Sequence, residues 1–229
     1  MAQYGSPMQK TTTIVLNLII INALVFFAQF IIAGTSDVNS ITDLFALHYY
    51  KSRYFNLYQF VTHMFMHAGF FHILFNMYAL WLFGNPLERV WGPKKFLIFY
   101  LVCGLASAAA QMGSYAYNFR AFDQMSLTPD LYDQYQELLR RAYTVGASGA
   151  IMGLMAGFAY LFPNTTFFII PFPVPLKAKY LVAIYAGLDL FGGFSGRNDS
   201  IAHFAHLGGF AMGFILVIIW NKTNKKTFY

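Results

Sequence analysis

The chain of 229 residues has little charge, since Asp, Glu, Lys and Arg make up only 10% of it. Soluble domains carry about 25% charged residues and are about 45–50% apolar, whereas 58% of this chain is hydrophobic. The shortage of charge excludes an ordinary soluble globular enzyme. It also excludes a disordered chain, because disorder requires low hydrophobicity and high charge. The composition predicts a multi-pass membrane protein with a single bundle.

Cysteine is also scarce, and Cys103 is the single one. One cysteine excludes an intrachain disulfide and a cysteine zinc site. Acidic residues are few, with 9 Asp and Glu against 15 Lys and Arg, which gives a net charge of +6. The basic residues stand in short clusters between apolar stretches. That placement is typical of membrane topology, and we expect no nucleic acid partner.

Several apolar stretches are long enough to cross a bilayer, which takes about twenty helical residues. They cover approximately residues 13–34, 62–84, 95–113, 143–162, 178–193 and 201–220. These long apolar runs lack the alternation of a membrane β-barrel. The sequence therefore predicts an all-α membrane protein with a bundle of six transmembrane helices.

Six spans place both chain ends on one side of the membrane, and the charges indicate which side. Cytoplasmic loops carry an excess of Lys and Arg. A cytoplasmic N-terminus puts nine basic residues in inner segments, against six in outer ones. The nine are Lys10, Arg89, Lys94, Lys95, Lys177, Lys179, Lys222, Lys225 and Lys226. We predict an N-in, C-in protein with a cytoplasmic tail at 1–12, a membrane domain at 13–221 and a basic cytoplasmic tail at 222–229.

Two hydrophilic segments, residues 35–60 and 114–142, are the predicted outer loops. In the second, Thr128 is followed by a proline, which is typical of a helix N-terminus. The helix would lie in the membrane interface or pack on the bundle, and both alternatives stay open. Its apolar face would consist of Leu131, Tyr135 and Leu138.

Polar side chains inside the predicted spans are candidates for function, because such groups are costly in hydrocarbon. His72 and Asn76 in the second span are four residues apart and share a helix face. Ser148 lies near the start of the fourth span and His206 near the start of the sixth. In the N-in arrangement these three spans all begin on the outer side. We therefore expect the four residues at a similar, shallow depth, where they can form one site.

Small residues recur at four-residue spacing in the fourth and sixth spans. Faces of this kind let helix backbones approach closely. Close approach of these two helices would bring Ser148 toward His206. The residues predicted to pack at this site are Gly146, Gly149, Gly153, Gly209 and Gly213.

Ser148 and His206 are a candidate nucleophile and base. A serine hydroxyl is a weak nucleophile until a base takes its proton, and histidine is the usual base. No acidic residue lies obviously near His206 in the sequence, so the pattern indicates a Ser–His dyad. Asp189 and Asp199 stay open as a third member.

A carbonyl oxygen under attack develops negative charge and needs hydrogen-bond donors. The Asn76 amide, the His72 imidazole and the Ser148 backbone N–H would supply them. The N-terminus of the helix that begins at Ser148 would add a favourable partial charge. These groups are the predicted oxyanion site.

Taken together, the motifs resemble the rhomboid family of intramembrane serine proteases. The resemblance covers approximately residues 58–220, with its motifs in order on spans two, four and six. It is carried by Gly-Ala-Ser-Gly at 146–149, by His72-xxx-Asn76, and by the run Ala205-His206-xx-Gly209-xxx-Gly213.

The resemblance implies a six-helix bundle whose active site opens to the outer side. It implies Ser148 as nucleophile, His206 as general base, and His72, Asn76 and the Ser148 N–H at the oxyanion. The implied partners are the lipid bilayer and single-span membrane proteins, which would be cut in or near their transmembrane segment. No metal or organic cofactor is implied. The compact form resembles bacterial members, which points to the cytoplasmic membrane.

Other features resemble or depart from the family. Glu88 resembles its acidic residue after span two, in a structural role, and residues 192–201 would form a cap over the site. Met152 stands where the family often has an aromatic residue that packs on the catalytic histidine. Tyr58-Gln59 stands where the family often has Trp-Arg in the first loop.

Two other functions stay open. A rhomboid-like pseudoprotease would bind membrane helices without cutting them, but such proteins usually lack the serine or the histidine. A membrane di-iron oxidoreductase would use histidine pairs such as His63/His67 and His203/His206, but six histidines are few and the serine motif would be unexplained. We interpret the first pair as hydrogen-bonded structural histidines and His203 as facing the loop.

Overall fold

The computed structural model describes residues 13–35, 38–169, 174–195 and 202–223. The predicted N-terminal tail lies outside the described residues. So do residues 196–201 of the predicted cap and residues 224–229 of the C-terminal tail. Within the described ranges the chain is mostly helical, as the composition predicts.

Each of the six predicted stretches contains a long helix. These are α1 (Thr13–Thr35), α4 (Phe70–Trp91), α5 (Pro93–Asp123), α7 (Ser148–Leu161), α8 (Ala178–Phe194) and α9 (His203–Thr223). Helices α1, α5 and α9 are each long and apolar enough to cross a membrane. Helix α4 also meets this test if it is counted as one span with the short helical segment Gln59–Phe65 that precedes it. With 14 and 17 residues, α7 and α8 are shorter than the usual span of about 20. The six-span count and the N-in, C-in arrangement stay predictions.

The second predicted span, 62–84, is wrong at its start. Helix α3 (Gln59–Thr62) and a 3₁₀ turn at His63–Phe65 form a separate piece that meets α4 at an angle of 96°. The Gln29 side chain on α1 accepts the backbone N–H of His67 and donates to its carbonyl. A continuous helix would pair both groups internally, so Gln29 stabilises the break.

The third span is longer than predicted, because α5 continues to Asp123 and enters the predicted second outer loop. Helix α6 (Pro129–Arg141) begins just after Thr128, as predicted, although the threonine side chain makes no capping hydrogen bond. The predicted apolar face is wrong at Leu138, which is 42% exposed. The prediction is right at Tyr135, which is buried and whose ring stacks on Phe122 of α5, and Gln136 and Leu139 are buried in place of Leu138. The structure therefore favours a helix packed on the protein over one that lies in the membrane interface.

Two short antiparallel ladders depart from an all-α fold. Strand β1 (Leu47–His48), which follows the short helix α2 (Val38–Phe45), pairs with β2 (Tyr143–Thr144). Strand β3 (Thr166–Ile169) pairs with β4 (Val174–Lys177) between α7 and α8. The first ladder joins the segment after α2 to the segment that leads into Ser148, so it holds the start of α7 in place.

Helix α7 forms the centre of the bundle. Every residue from Gly149 to Phe158 is buried, and the helix packs against α4, α5, α8 and α9. Small and apolar side chains suit a helix enclosed on all sides. Ser148, at the start of the helix, is only half-buried, so the hydroxyl lies at the rim of the core.

Glu88 holds the start of α1. Its carboxylate accepts the backbone N–H of Ile14 at 3.0 Å and that of Val15 at 2.9 Å, and the side chain is buried. The first N–H groups of a helix have no intrahelical acceptor, and negative charge is favourable at a helix N-terminus. Glu88 thus has a structural contact, which is the kind of role that the resemblance implies.

Candidate active site

Helices α7 and α9 approach each other backbone to backbone. A Cβ atom at Gly213 would lie 2.5 Å from the Cα and the carbonyl oxygen of Gly153, and one at Gly209 would overlap the carbonyl of Gly149. Backbone atoms cannot rotate away as a flexible side chain can. The structure therefore brings these four glycines together and leaves no room there for a larger residue.

Ser148 and His206 meet at the end of this contact where both helices begin. The serine Oγ lies 2.8 Å from Nε2 of the histidine, which is the distance of a good hydrogen bond. Ser148 is the first residue of α7, and His206 lies in the first turn of α9. The close packing of the two helices brings together side chains that are 58 residues apart.

Asp189, one of the two acidic residues that stayed open as a third member, lies at the opposite edge of the His206 ring from Ser148. Both carboxylate oxygens of Asp189, on α8, are 3.1 Å from Nδ1 of His206. The same carboxylate lies 2.7 Å from Nδ1 of His203, so the interpretation of His203 as facing the loop is wrong. The signal for Asp189 was an ionisable residue inside an apolar stretch. Its partner was hidden because it lies on another helix.

His72 lies beside the serine. The backbone N–H of Ala68 donates to its Nδ1 at 3.3 Å. A Cβ atom built on Gly146 would lie 2.9 Å from Nε2 of His72 and 3.6 Å from Oγ of Ser148. The histidine nitrogen and the serine hydroxyl therefore border the same small space, which is open because residue 146 has no side chain.

Gly146 is not a helix-packing residue, contrary to the prediction. It precedes α7, with φ at +126°, a backbone conformation that residues with a side chain rarely adopt. Its N–H donates to the carbonyl of His63 at 2.8 Å. The glycine is needed for a turn and for open space next to Ser148.

Asn76 lies one turn after His72 on the same face of α4, as the spacing predicts. Its Nδ2 donates to the backbone carbonyl of His72 at 2.8 Å, and the side chain is buried. An amide nitrogen carries two N–H groups. The helical hydrogen bond uses one of them and fixes the direction of the other.

The remaining histidines make structural contacts. The prediction of hydrogen-bonded structural histidines holds for His63, whose Nδ1 donates to the carbonyl of Gln59 at 2.8 Å. It is wrong for His67, whose buried ring nitrogens have no hydrogen-bond partner among the described residues and whose ring lies 5.1 Å from that of His72. Among the residues that the structure describes, no three His, Cys, Asp or Glu side chains gather as a metal site requires. The histidine pairs on which the di-iron alternative depended are therefore not completed into metal-binding clusters in this part of the chain.

Gln59 stands where the family often has arginine, and it holds the predicted first outer loop together. Its amide nitrogen, Nε2, donates to the carbonyls of Asp43, Leu44 and Tyr54, and its Oε1 accepts the N–H of His48. A buried neutral amide thus holds the loop from inside. Met152, the other departure, is buried in α7.

These features define a helical membrane protein with a serine–histidine pair at the N-terminal ends of two closely packed helices. The family model described as the Rhomboid domain matches residues 54–222. The chain therefore belongs to the rhomboid family and is an integral membrane protein.

Three relatives show how far the similarity extends. RHOMBOID-like protein 12, mitochondrial, of Arabidopsis thaliana is 29% identical over 94% of this chain and 60% of its own length. Rhomboid protein 1, mitochondrial, of Saccharomyces cerevisiae is 33% identical over 65% of this chain and 38% of its own length. Rhomboid protease AarA of Providencia stuartii is 28% identical over 90% of this chain and 71% of its own length. The chain thus spans less than two thirds of either mitochondrial relative.

Proposed function

We propose that the protein is an intramembrane serine endopeptidase that cuts single-span membrane proteins in or near their transmembrane segment. The observation that carries this proposal is the 2.8 Å contact between Oγ of Ser148 and Nε2 of His206 in a member of the rhomboid family. A protease named in this family, AarA, is similar over most of the chain. The alternative is a pseudoprotease that binds membrane helices without cutting them.

In the proposed reaction, His206 takes the proton of Ser148 as Oγ attacks the scissile carbonyl carbon. The tetrahedral intermediate collapses when the amide nitrogen leaves with a proton from His206, which gives an acyl-enzyme. A water molecule then gives a proton to His206 and attacks the ester carbonyl. Collapse of the second intermediate returns the proton from His206 to Ser148 and releases the new carboxylic acid, which loses its proton to solvent.

Three donors can stabilise the oxyanion. Nδ1 of His72 accepts the N–H of Ala68, so the neutral ring carries its proton on Nε2, next to Ser148. The second N–H of the Asn76 amide is available beside the one bonded to the helix. The N–H of Ser148 is at the first position of α7 and has no intrahelical acceptor.

Asn76→Ala tests this assignment. Removal of one oxyanion donor costs on the order of 10²–10³ in kcat. We expect a loss of that size for Asn76→Ala, smaller than the loss for Ser148→Ala, with cleavage of a transmembrane substrate measured in proteoliposomes. Near-full activity of Asn76→Ala would remove the amide from this role.

Substrate helices must unwind before Ser148 can reach a peptide bond, because helical hydrogen bonds shield the backbone. We therefore expect small residues at the cut and helix-breaking residues such as Gly or Pro beyond it. The measurement compares a substrate helix that has these residues with a uniform Leu/Ala helix. Efficient cleavage of the uniform helix would contradict the expectation.

The decisive experiment is labelling of the purified protein with a fluorophosphonate, which reacts with activated serines. Wild type is compared with Ser148→Ala, with His206→Ala and with the control Ser126→Ala, a serine in an exposed loop. Labelling of wild type and the control alone supports the protease. Folded wild-type protein that does not label supports the pseudoprotease, whereas iron-dependent activity that survives Ser148→Ala supports the oxidoreductase.

We further propose the N-in, C-in arrangement in a bacterial cytoplasmic membrane, with the site near the outer surface. The excess of Lys and Arg in the predicted inner segments supports this orientation. Fusion of alkaline phosphatase to the C-terminus should give an inactive reporter in bacteria. An active reporter would reverse the orientation.

A further inference from the structure

We propose that Asp189 and His203 are positioning residues for His206. The carboxylate of Asp189 holds the His206 ring in the tautomer and orientation that a general base requires, and His203 holds that carboxylate. The proposal rests on the proposed protease function. It replaces the dyad indicated by the sequence with a hydrogen-bonded relay of four side chains, Ser148, His206, Asp189 and His203.

The tautomer of His206 follows from what lies at each of its nitrogens. An ionised carboxylate accepts hydrogen bonds and cannot donate them, so Nδ1, 3.1 Å from both oxygens of Asp189, carries the N–H. In a neutral ring Nε2 then has no proton and accepts the O–H of Ser148, 2.8 Å away. This is the form that can take a proton from the serine. The opposite tautomer would donate to Oγ and could not act as base.

His203 fixes the carboxylate itself. Its Nδ1 lies 2.7 Å from Oδ1 of Asp189, an oxygen that also contacts His206. His203 and His206 are three residues apart and therefore lie on one face of α9. A carboxylate is costly in an apolar environment unless it is hydrogen-bonded, and two ring N–H groups from the same face meet that need. Asp189 is thus held against α9 with its oxygens directed at His206.

Helix α8 is shaped to admit the His203 ring. Gly192 lies one turn after Asp189, and a Cβ atom there would overlap the ring of His203. By contrast, a Cβ atom at Gly187 on the same helix would meet nothing within 4 Å. Gly192→Ala should therefore displace His203 without touching Asp189 or His206, and Gly187→Ala is its matched control.

The test compares Asp189→Asn, Asp189→Glu, His203→Asn, Gly192→Ala and Gly187→Ala with wild type. For each folded variant, kcat and KM are measured on a transmembrane substrate in proteoliposomes, together with the rate of fluorophosphonate labelling. The labelling rate reports activation of the serine without the need to bind a transmembrane helix. A role limited to joining α8 to α9 would lower thermal stability or raise KM but would leave the labelling rate of folded protein unchanged.

We expect Asp189→Asn to lower both kcat and the labelling rate by about 10²-fold or more with little change in KM, since loss of the orienting carboxylate in a Ser–His–Asp triad costs about 10⁴ in kcat. An asparagine can turn its N–H₂ toward Nδ1 and stabilise the wrong tautomer. Asp189→Glu keeps the carboxylate and should recover part of the rate. His203→Asn should cost about tenfold, as expected for a residue that acts through another.

Gly192→Ala should match His203→Asn, and the double variant should be no slower than either, because both changes remove the same ring from Asp189. Gly187→Ala should behave as wild type. Wild-type labelling rates for Asp189→Asn, or for both His203→Asn and Gly192→Ala, would overturn the proposal. If Asp189→Asn does not fold, the labelling rates of His203→Asn and Gly192→Ala decide the question. Failure of wild type itself to label would refute the protease function instead, and the two failures are thus distinguishable.

Discussion

A single methyl group at the contact between α7 and α9 should separate the nucleophile from its base. In Gly213→Ala the new Cβ atom would lie 2.5 Å from the Cα and carbonyl oxygen of Gly153, about 0.9 Å short of the 3.4 Å at which ordinary contact begins. The obstructing atoms are backbone, so the helices must move apart. Residue 213 is about 10 Å along the helix from His206 at 1.5 Å per residue, so the change does not touch the site directly.

The size of the effect follows from the geometry. If α9 moves as a rigid body, the distance from Oγ of Ser148 to Nε2 of His206 grows from 2.8 Å to about 3.7 Å, beyond hydrogen-bond range. A misplacement of about 1 Å costs on the order of 10² in rate. Overpacking also lowers the free energy of unfolding by about 1–3 kcal/mol. We expect a large loss of activity in protein that still folds.

The assay measures fluorophosphonate labelling rate and thermal unfolding in the same detergent preparation. Gly187→Ala makes the same chemical change on α8, where a Cβ atom meets nothing within 4 Å; it should match wild type in labelling rate and be no less stable, since alanine is favoured over glycine inside a helix. Wild-type stability together with a wild-type labelling rate in Gly213→Ala would refute the reasoning. That result would mean that the two backbones are not in close contact.

Three further changes test other parts of the structure. Gly146→Ala should lower the labelling rate about tenfold or more. Its φ is +126° and the added Cβ would lie 2.9 Å from Nε2 of His72, and displacement at a reacting centre is costly. An unchanged rate would argue against a shared space between His72 and Ser148. Glu88→Gln should reduce the free energy of unfolding by about 1 kcal/mol, because negative charge is lost at the N-terminus of α1, and the labelling rate of folded protein should not change. A wild-type melting temperature would contradict the role of the carboxylate. Burial, aided by Arg140, lowers the pKa of His48 below its usual 6.5 against the opposing effects of the Thr42 and Leu139 carbonyls and Asp43. The loop that contains His48 should therefore be fully stable above about pH 6.5 and lose stability as the pH falls below it, so that limited proteolysis becomes faster in wild type but not in His48→Asn. Proteolysis of wild type at a rate independent of pH would refute this.

Local patterns explain why much of the fold was predictable. Apolar stretches forecast a helix in each of six places, because burial of apolar side chains and internal pairing of backbone groups are both needed in a membrane. The helix after Thr128 was predictable from its proline and the preceding residue. The break before α4 was not, because Gln29 on another helix pairs the backbone groups of His67.

The candidate site divides in the same way. The spacing of His72 and Asn76 placed them on one face, and the glycines of α7 and α9 predicted the contact that joins Ser148 to His206. Asp189 and Asp199 both stayed open as a third member, because sequence distance does not show which way a helix is rotated; only the structure places Asp189 against His206. Gly146 was grouped with the packing glycines because a turn and a helix face look alike in a row of small residues.

The sequence by itself determined the membrane class, the approximate position of each long helix and the residues that carry the family resemblance. Each of these depends on hydrophobicity or on spacing along one helix, which are properties of a local segment. Tertiary structure alone decided that Asp189 contacts His203 and His206, that Glu88 caps α1 and that Gln59 holds the segment between α2 and α3. These contacts depend on the rotation and depth of separate helices and loops, which are set by the packing of all of them together.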